Sequence, residues 1–202
     1  MIWLFNQLKV KNMNNFLTLN ELKKIGLKKF GKNLQISRNA LLINPQFISI
    51  GNDVRIDAFV VLTASKKKII IGSNVHLGMH CYINGSHGFE IKNFSSISSG
   101  CRIFTSSDDY SGNFLFSPTV PKKYTKPKNK KVLVEKFVNI GANSVVLPGV
   151  TIREGSAVGA LSLINKNLNK WEIYLGVPVK KIGDRSKKII DLSKKYLYEK
   201  KV

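Results

Sequence analysis

Residues 140–164, IGANSVVLPGVTIREGSAVGALSLI, place an aliphatic side chain at every sixth position: Ile140, Val146, Ile152, Val158 and Ile164. Neither the α-helical period of about 3.6 nor the strand period of about 2 yields a six held over successive steps. A strict hexad is the mark of a parallel β-helix, in which three hexads close one triangular coil of about 18 residues. Each coil buries its apolar side chains only against its neighbours, so the stack supplies the core. The expected fold class is therefore mainly β, a prism whose aliphatic residues point inward.

The register extends backwards through Ile36, Leu42, Ile50, Ile56, Leu62, Ile71, Leu77, Ile83, Ile91, Ile97 and Ile103. Taking every third position gives three columns. Ile36, Ile56, Leu77 and Ile97 define a first face, Leu42, Leu62, Ile83 and Ile103 a second, and Ile50, Ile71 and Ile91 a third. Each step from the second face to the third is eight or nine residues rather than six, so that corner carries extra residues, at 65–68 and 86–89. Extended corners on a rigid scaffold are candidates for ligand contacts. After Ile103 the pattern breaks, and residues 110–131 form an excursion rich in Pro, Gly and Lys before Val134 resumes the third column. A loop of that length inside a compact repeat points to function. The register makes it leave from the same extended corner.

Outside the columns, Thr18 reads as an N-cap with Glu21 as its reciprocal partner and Leu17 with Leu22 as a hydrophobic staple. Gly31 is expected to end that short helix. Leu22, Ile25 and Phe30 form an apolar stripe expected to lie across the first coil, covering a sheet end. Residues 170–184, through Trp171, Gly176 and Pro178, are expected to leave the prism. Residues 186–201 read as a terminal helix with Ile189, Ile190, Leu192, Tyr196 and Leu197 apolar. The chain thus divides into an N-terminal segment and helix (1–33), the β-helix with its excursion (34–169) and a C-terminal extension and helix (170–202).

Of the 202 residues 43% are hydrophobic, ample for one domain with a core. The net charge of +21, from 33 Lys plus Arg against 12 Asp plus Glu, favours acidic partners such as a polyphosphate cofactor, a nucleotide-linked substrate or an anionic membrane surface. It equally fits a lysine-rich solvated surface. Nucleic acid is not expected as a partner, because no recognition helix, zinc module or aromatic RNA platform accompanies the charge. No run approaches the ~18 apolar residues of a membrane span, and residues 1–5 are too short for the core of a signal peptide, so the expected location is cytoplasmic. Ile2, Trp3, Leu4 and Phe5 beside Lys9 and Lys11 leave a peripheral membrane contact open, with packing on the domain the simpler reading. Cys81 and Cys101 fall at equivalent positions of adjacent coils and are expected to be stacked, reduced thiols.

The hexads, the lysine-rich excursion, the run from Ile140 to Lys166 and Trp171-Glu172-Ile173-Tyr174-Leu175-Gly176-Val177-Pro178 together resemble the hexapeptide-repeat acyltransferases over roughly residues 34–185. Thr105-Ser106-Ser107-Asp108-Asp109-Tyr110-Ser111-Gly112 and the helix before the coils are similar to the branch that acylates sugars for bacterial surface polysaccharides, such as lipopolysaccharide, in particular the acyltransferases of nucleotide-linked 4-amino-4,6-dideoxyglucose. The resemblance implies a left-handed parallel β-helix, a homotrimer and acetyl-CoA as acyl donor, with no metal. It implies as acceptor a nucleotide-linked sugar, on its amino group or a hydroxyl, or else a lipid-linked or polymeric polysaccharide. Grooves between prisms suit an extended donor. Gly141, Ala142, Gly159, Ala160 and Ser162 would let its pantetheine arm approach the main chain, and Lys166, Lys181 and Arg185 would meet its phosphates. Tight corners account for the small residues at least as well, and a solvated face is the simpler reading of the cations. Tyr110, Asn113 and Tyr124 of the excursion would contribute to the sugar pocket.

Acyl transfer to a hydroxyl needs a base near neutral pKa, which histidine suits best. There are three: His76, His80 and His87. In many members of the family that the chain resembles, a histidine stands just before the long loop, where this chain has Asp108, so the resemblance leaves the base unassigned. His87 lies four residues after Ile83 and Asp108 five after Ile103, which puts both in one corner within a coil height. A carboxylate beside an imidazole would orient it and raise its basicity. The catalytic candidates are therefore His87 as base with Asp108 or Asp109 as its partner. His80 follows, in a turn that could face a neighbouring subunit, while His76 is expected at an exposed position. An amine acceptor needs less of a base, which tilts the reading towards N-acylation. Two other classes stay open: a metal-dependent lyase on the same prism, needing three histidines on one zinc, and a non-catalytic β-helix scaffold.

Overall fold

The structure is a computed structural model that describes residues 15–200. Three parallel sheets form the walls of a prism. The first face stacks Ile36, Ile56, Leu77, Ile97, Ile140, Val158 and Tyr174 in register. The second stacks Leu42, Leu62, Ile83, Ile103, Val146 and Ile164. Phe30, Ile50, Ile71, Ile91, Val134 and Ile152 make up the third. The columns spaced by hexads are thus the hydrogen-bonded ladders themselves. Ile56, Ile83, Ile97, Ile103, Ile140 and Ile164 have 0% exposure, and each such side chain contributes about 1.5–3 kcal/mol by leaving water. Cys81 and Cys101 are also buried and free, with Cys81 Sγ donating to Ser98 O and Cys101 Sγ to Gly141 O, both at 3.1 Å.

The corner from third to first face takes the left-handed conformation in coil after coil, at Asn33, Asp53, Asn74, Phe94, Phe137, Gly155 and Trp171. Asn and Asp tolerate that region because their side chains bond locally, whereas an aromatic residue there costs about 1–2 kcal/mol. Stacking offsets the cost. Phe94 and Phe137 lie with centroids 5.5 Å apart, and Trp171 lies 6.2 Å from Phe137. Gly155 stands between these coils, where a Cβ would fall 2.4 Å from the Trp171 indole. Its missing side chain lets the tryptophan reach back across one coil.

Helix α1 (Leu19–Ile25) closes one end. Its capping box is formed, with the Glu21 carboxylate accepting from Thr18 N at 2.7 Å, and Arg38 of the first coil pairs with Glu21. Leu22 is buried beneath it. The helix ends earlier than expected, at Gly26 in the left-handed conformation rather than at Gly31. Phe30 therefore belongs to a third-face strand, not to the helical stripe, because it sits six residues ahead of Ile36 and already obeys the hexad.

The other end of the prism runs past the expected exit. Strand Glu172–Leu175 adds in parallel to the first face, and Lys180–Asp184 folds back antiparallel on it. Tyr174 can replace an aliphatic residue in the ladder because its hydroxyl accepts from Asn169 N at 3.1 Å and donates to Glu172. Helix α2 (Lys188–Glu199) then lies against the first face, with Tyr196 edge-on to Phe94 and Lys200 paired with Asp53. Among the described residues no helix is long and apolar enough to cross a membrane. Ile2, Trp3, Leu4 and Phe5, the expected membrane contact, lie outside the described residues.

Candidate active site

The extended corner and the excursion meet. The excursion leaves after Phe104 and is clamped at its base by an antiparallel pairing of Ser106–Ser107 with Lys128–Asn129, where Ser106 Oγ donates to Asn129 Oδ1 at 2.6 Å. Loop and corner enclose a cleft of about 860 Å³ walled by His87, Asp108, Tyr110 and Lys122 among polar residues and by Phe104, Val120 and Leu147 among apolar ones. That volume suits a small-molecule ligand.

A buried threonine holds the corner. Thr105 has 0% exposure; its Oγ1 donates to Asn84 O at 2.7 Å and accepts from His87 N at 3.0 Å. Ser86 Oγ donates to Asn84 Oδ1 at 2.7 Å and lies 3.1 Å from His87 Nδ1. Ser65, from the preceding coil, donates its hydroxyl to Ser86 O. Among the described residues no carboxylate touches the imidazole, contrary to the expected pairing. Asp108 shares the cleft with His87 yet makes no hydrogen bond or ion pair among the described residues. Asp109 is turned away, its carboxylate accepting from Ser111 N at 3.1 Å and Ser111 Oγ at 2.7 Å, because the chain begins a surface turn just beyond the paired stem.

The other two histidines lie elsewhere. His80 is exposed at the first-to-second corner, its ring stacked on Phe59 at 5.0 Å. His76 lies on the outside of the first face, not simply exposed: its Nε2 is 2.7 Å from Asp57, which also takes Arg55 Nε at 2.7 Å. Burial pushes the Asp57 carboxyl up, but His76 and Arg55 together hold it below the ordinary carboxylate value. Among the described residues no three His, Cys, Asp or Glu side chains are placed to hold a metal ion.

Of the expected donor contacts, Gly141, Ala142, Gly159 and Ala160 stack at the first-to-second corner. A Cβ on Gly141 would lie 2.4 Å from Ala160 N, so successive coils meet there main chain to main chain. At Gly159 a Cβ would instead meet the Leu175 side chain at 2.5 Å, so the last strand of the first face caps that end of the stripe. Ser162 is buried, donating to Gly159 O at 2.8 Å and accepting from Gly176 N at 3.1 Å, which makes it a brace for the corner. Lys166 is exposed and has no partner among the described residues. Lys181 lies between Asp184 at 2.7 Å and Glu172 at 3.0 Å, which raise its pKa. Arg185 turns inward: its guanidinium donates to Phe137 O at 2.6 Å, Gly155 O at 3.0 Å and Ser156 O at 3.3 Å, and burial lowers its pKa. On the acceptor side Tyr110, 91% exposed, walls the cleft. Asn113, bonded to Ser111 Oγ at 3.0 Å, and Tyr124, with Lys123 over its ring at 4.9 Å, lie outside the cleft wall.

The long step put Ser86 in the extended corner, but the hexads did not reveal Asn84 or Thr105. The available signal was a cluster of small polar residues at the one corner longer than a hexad.

Residues 131–160 match the family model described as the hexapeptide repeat of succinyl-transferase. The dTDP-4-amino-4,6-dideoxy-D-glucose acyltransferase of Escherichia coli is 39% identical over 172 residues, 85% of this chain and 90% of that protein. The galactoside O-acetyltransferase of Lactococcus lactis is 31% identical over 140 residues, 61% of each. AntD, an N-acyltransferase from Bacillus cereus solved in complex with dTDP and 3-hydroxybutyryl-CoA, superimposes with a TM-score of 0.90 at 44% identity, covering 94% of this chain and 100% of that one.

Proposed function

Because the chain belongs to the hexapeptide-repeat sugar acyltransferases, we propose that it transfers an acyl group from a CoA thioester to the amino group of a nucleotide-linked amino sugar. The donor supplies an activated acyl carbon. The observation that carries the reading is the meeting of Asp108 and His87 in one cleft beside an exposed Tyr110. Asp108, a carboxylate without a partner among the described residues, attracts the substrate's ammonium group into the cleft. The ammonium first gives one proton to solvent; His87 then takes the second, which the neutral amine sheds as the amide bond forms, and returns it to the departing sulfur, so the transfer releases one proton to water and leaves none on the protein. Tyr110 offers its ring and hydroxyl to the sugar or its base.

The donor lies in a groove between subunits. The outward side of the second face carries Leu41, Val61, Tyr82, Val145 and Leu163, interrupted by Arg102, whose guanidinium folds onto His80 O and Gly100 O, and the adjoining corner exposes Phe59, Met79 and Leu161. An apolar strip of that extent is suited to burial against a neighbouring copy of the chain. A homotrimer built on it sets the Gly141–Gly159 stripe of one subunit beside the cleft of the next, with Lys166 near the donor phosphates. A CoA thioester is a cytoplasmic metabolite, so the reading places the enzyme there, preparing sugars for surface polysaccharide, lipopolysaccharide included.

The test is thiol release from acetyl-CoA and 3-hydroxybutyryl-CoA with dTDP-4-amino-4,6-dideoxyglucose, set against the same nucleotide sugar bearing a 4-hydroxyl. Turnover with the amine alone supports N-transfer. Turnover with the hydroxyl alone replaces it with O-transfer, and silence on both overturns the acceptor class.

A further inference from the structure

The hydrogen bonds around His87 determine which of its ring nitrogens is basic. A backbone N–H can only donate, and Ser86 N lies 3.2 Å from the Asn84 side chain, so the atom it meets there is the carbonyl Oδ1. The same Oδ1 accepts the Ser86 hydroxyl at 2.7 Å. A serine hydroxyl carries one hydrogen. With that hydrogen committed to Asn84, Ser86 Oγ can only accept from His87 Nδ1, 3.1 Å away. The neutral ring must then carry its hydrogen on Nδ1 and its lone pair on Nε2.

Asn84 is itself fixed. Its main-chain oxygen accepts from Thr105 N at 3.1 Å and from Thr105 Oγ1 at 2.7 Å, and Thr105 Oγ1 in turn receives His87 N at 3.0 Å. Donor and acceptor ends of the relay are therefore tied to the same buried residue.

We propose that Asn84 and Ser86 are positioning residues that lock His87 in the Nδ1–H tautomer, leaving Nε2 as the proton acceptor in the cleft. This rests on the reading of His87 as the base. The pair does the work that a carboxylate does behind a catalytic imidazole, with one difference: a neutral hydroxyl fixes the tautomer without stabilising the imidazolium by charge. The kinetic effect of losing it is accordingly smaller than that of losing a buried carboxylate.

The test is imidazole ¹⁵N NMR of the intact protein together with steady-state kinetics. At a pH where His87 is neutral, its resonances should report a protonated Nδ1 and a bare Nε2. In Ser86→Ala the ring should shift towards the Nε2–H form that predominates in free histidine, kcat should fall about 10-fold or more with KM little changed, and Ser86→Thr should restore both. A bare Nδ1 in the wild type, or an unaltered tautomer in Ser86→Ala, overturns the proposal. His87→Ala separates it from the reading beneath it: wild-type turnover in that variant, with the Nδ1–H tautomer still seen in the parent, would mean that the ring is locked as described but is not the base.

Discussion

Arg185→Met keeps the aliphatic stem and removes the guanidinium that bonds three carbonyls of the third-to-first corner. One nitrogen makes all three contacts, and its two hydrogens can satisfy only two of them well, so the loss is that of two bonds from a charged donor. Such bonds contribute about 1.5–3 kcal/mol each. Discounting for the exposed part of this half-buried group leaves an expected destabilisation of about 2–4 kcal/mol. In a chain of this size that lowers Tm by about 5–15 °C, read by circular dichroism at a fixed protein concentration because an oligomer's Tm depends on it. The KM for the CoA thioester, measured well below the transition, should stay within about twofold of wild type, since the guanidinium is engaged with its own backbone. A variant with unchanged Tm and a KM raised about 10-fold would refute the reasoning and return Arg185 to the donor phosphates.

His87→Ala should lower kcat about 100-fold or more while leaving Tm unchanged, as the ring lines the cleft and not the core; a wild-type rate would remove it from the mechanism. The Glu21 carboxyl, held at about 2 against an ordinary 4.5 by Arg38 and then by the Thr18 amide and hydroxyl, is more acidic folded than unfolded, so its contribution is complete above the ordinary value and is lost as pH falls from there towards 2. Glu21→Gln should therefore flatten the fall of Tm across that window, and an equally steep acid limb would show that the capping pair does not govern it. Gly155→Ala places a methyl 2.4 Å from the Trp171 indole on a backbone at φ +71°, and should destabilise by about 2 kcal/mol or more. Equal denaturant midpoints for the two proteins would contradict that.

The ladders were legible because every hexad turns one aliphatic residue into the column, while the second buried residues two positions earlier, such as Ile48, Val54, Ile69 and Val132, did not stand out from the period. The left-handed aromatic corner was not legible either. Nothing in local propensity places Phe94, Phe137 or Trp171 at positive φ, and only stacking between coils makes it tolerable. The early end of α1 was obscured by two available glycines, Gly26 and Gly31, and the six-residue step from Phe30 to Ile36 was the overlooked arbiter. At the site, spacing correctly put His87 and Asp108 in one corner. It could not tell that the imidazole turns to Ser86, because equal height along the column says nothing about side-chain direction. Arg185 misled for a similar reason: a cation near a proposed phosphate reads identically whether it faces solvent or its own carbonyls.

The clamped stem of the excursion has a further consequence. Ile91 and Val134 pair as neighbours across about twice the sequence separation that joins Ile71 to Ile91, and doubling a flexible connection adds only about 0.6 kcal/mol to the entropy of closing it. Lengthening or rewriting residues between the two stem strands is therefore thermodynamically cheap, whereas inserting one residue inside a ladder strand would turn its inward side chain out to the opposite side of the wall. If the excursion holds the acceptor and the coil corners the donor, as the proposed function has it, descendants of this architecture can change the sugar by remodelling a single detachable segment while the thioester site stays locked to the coil.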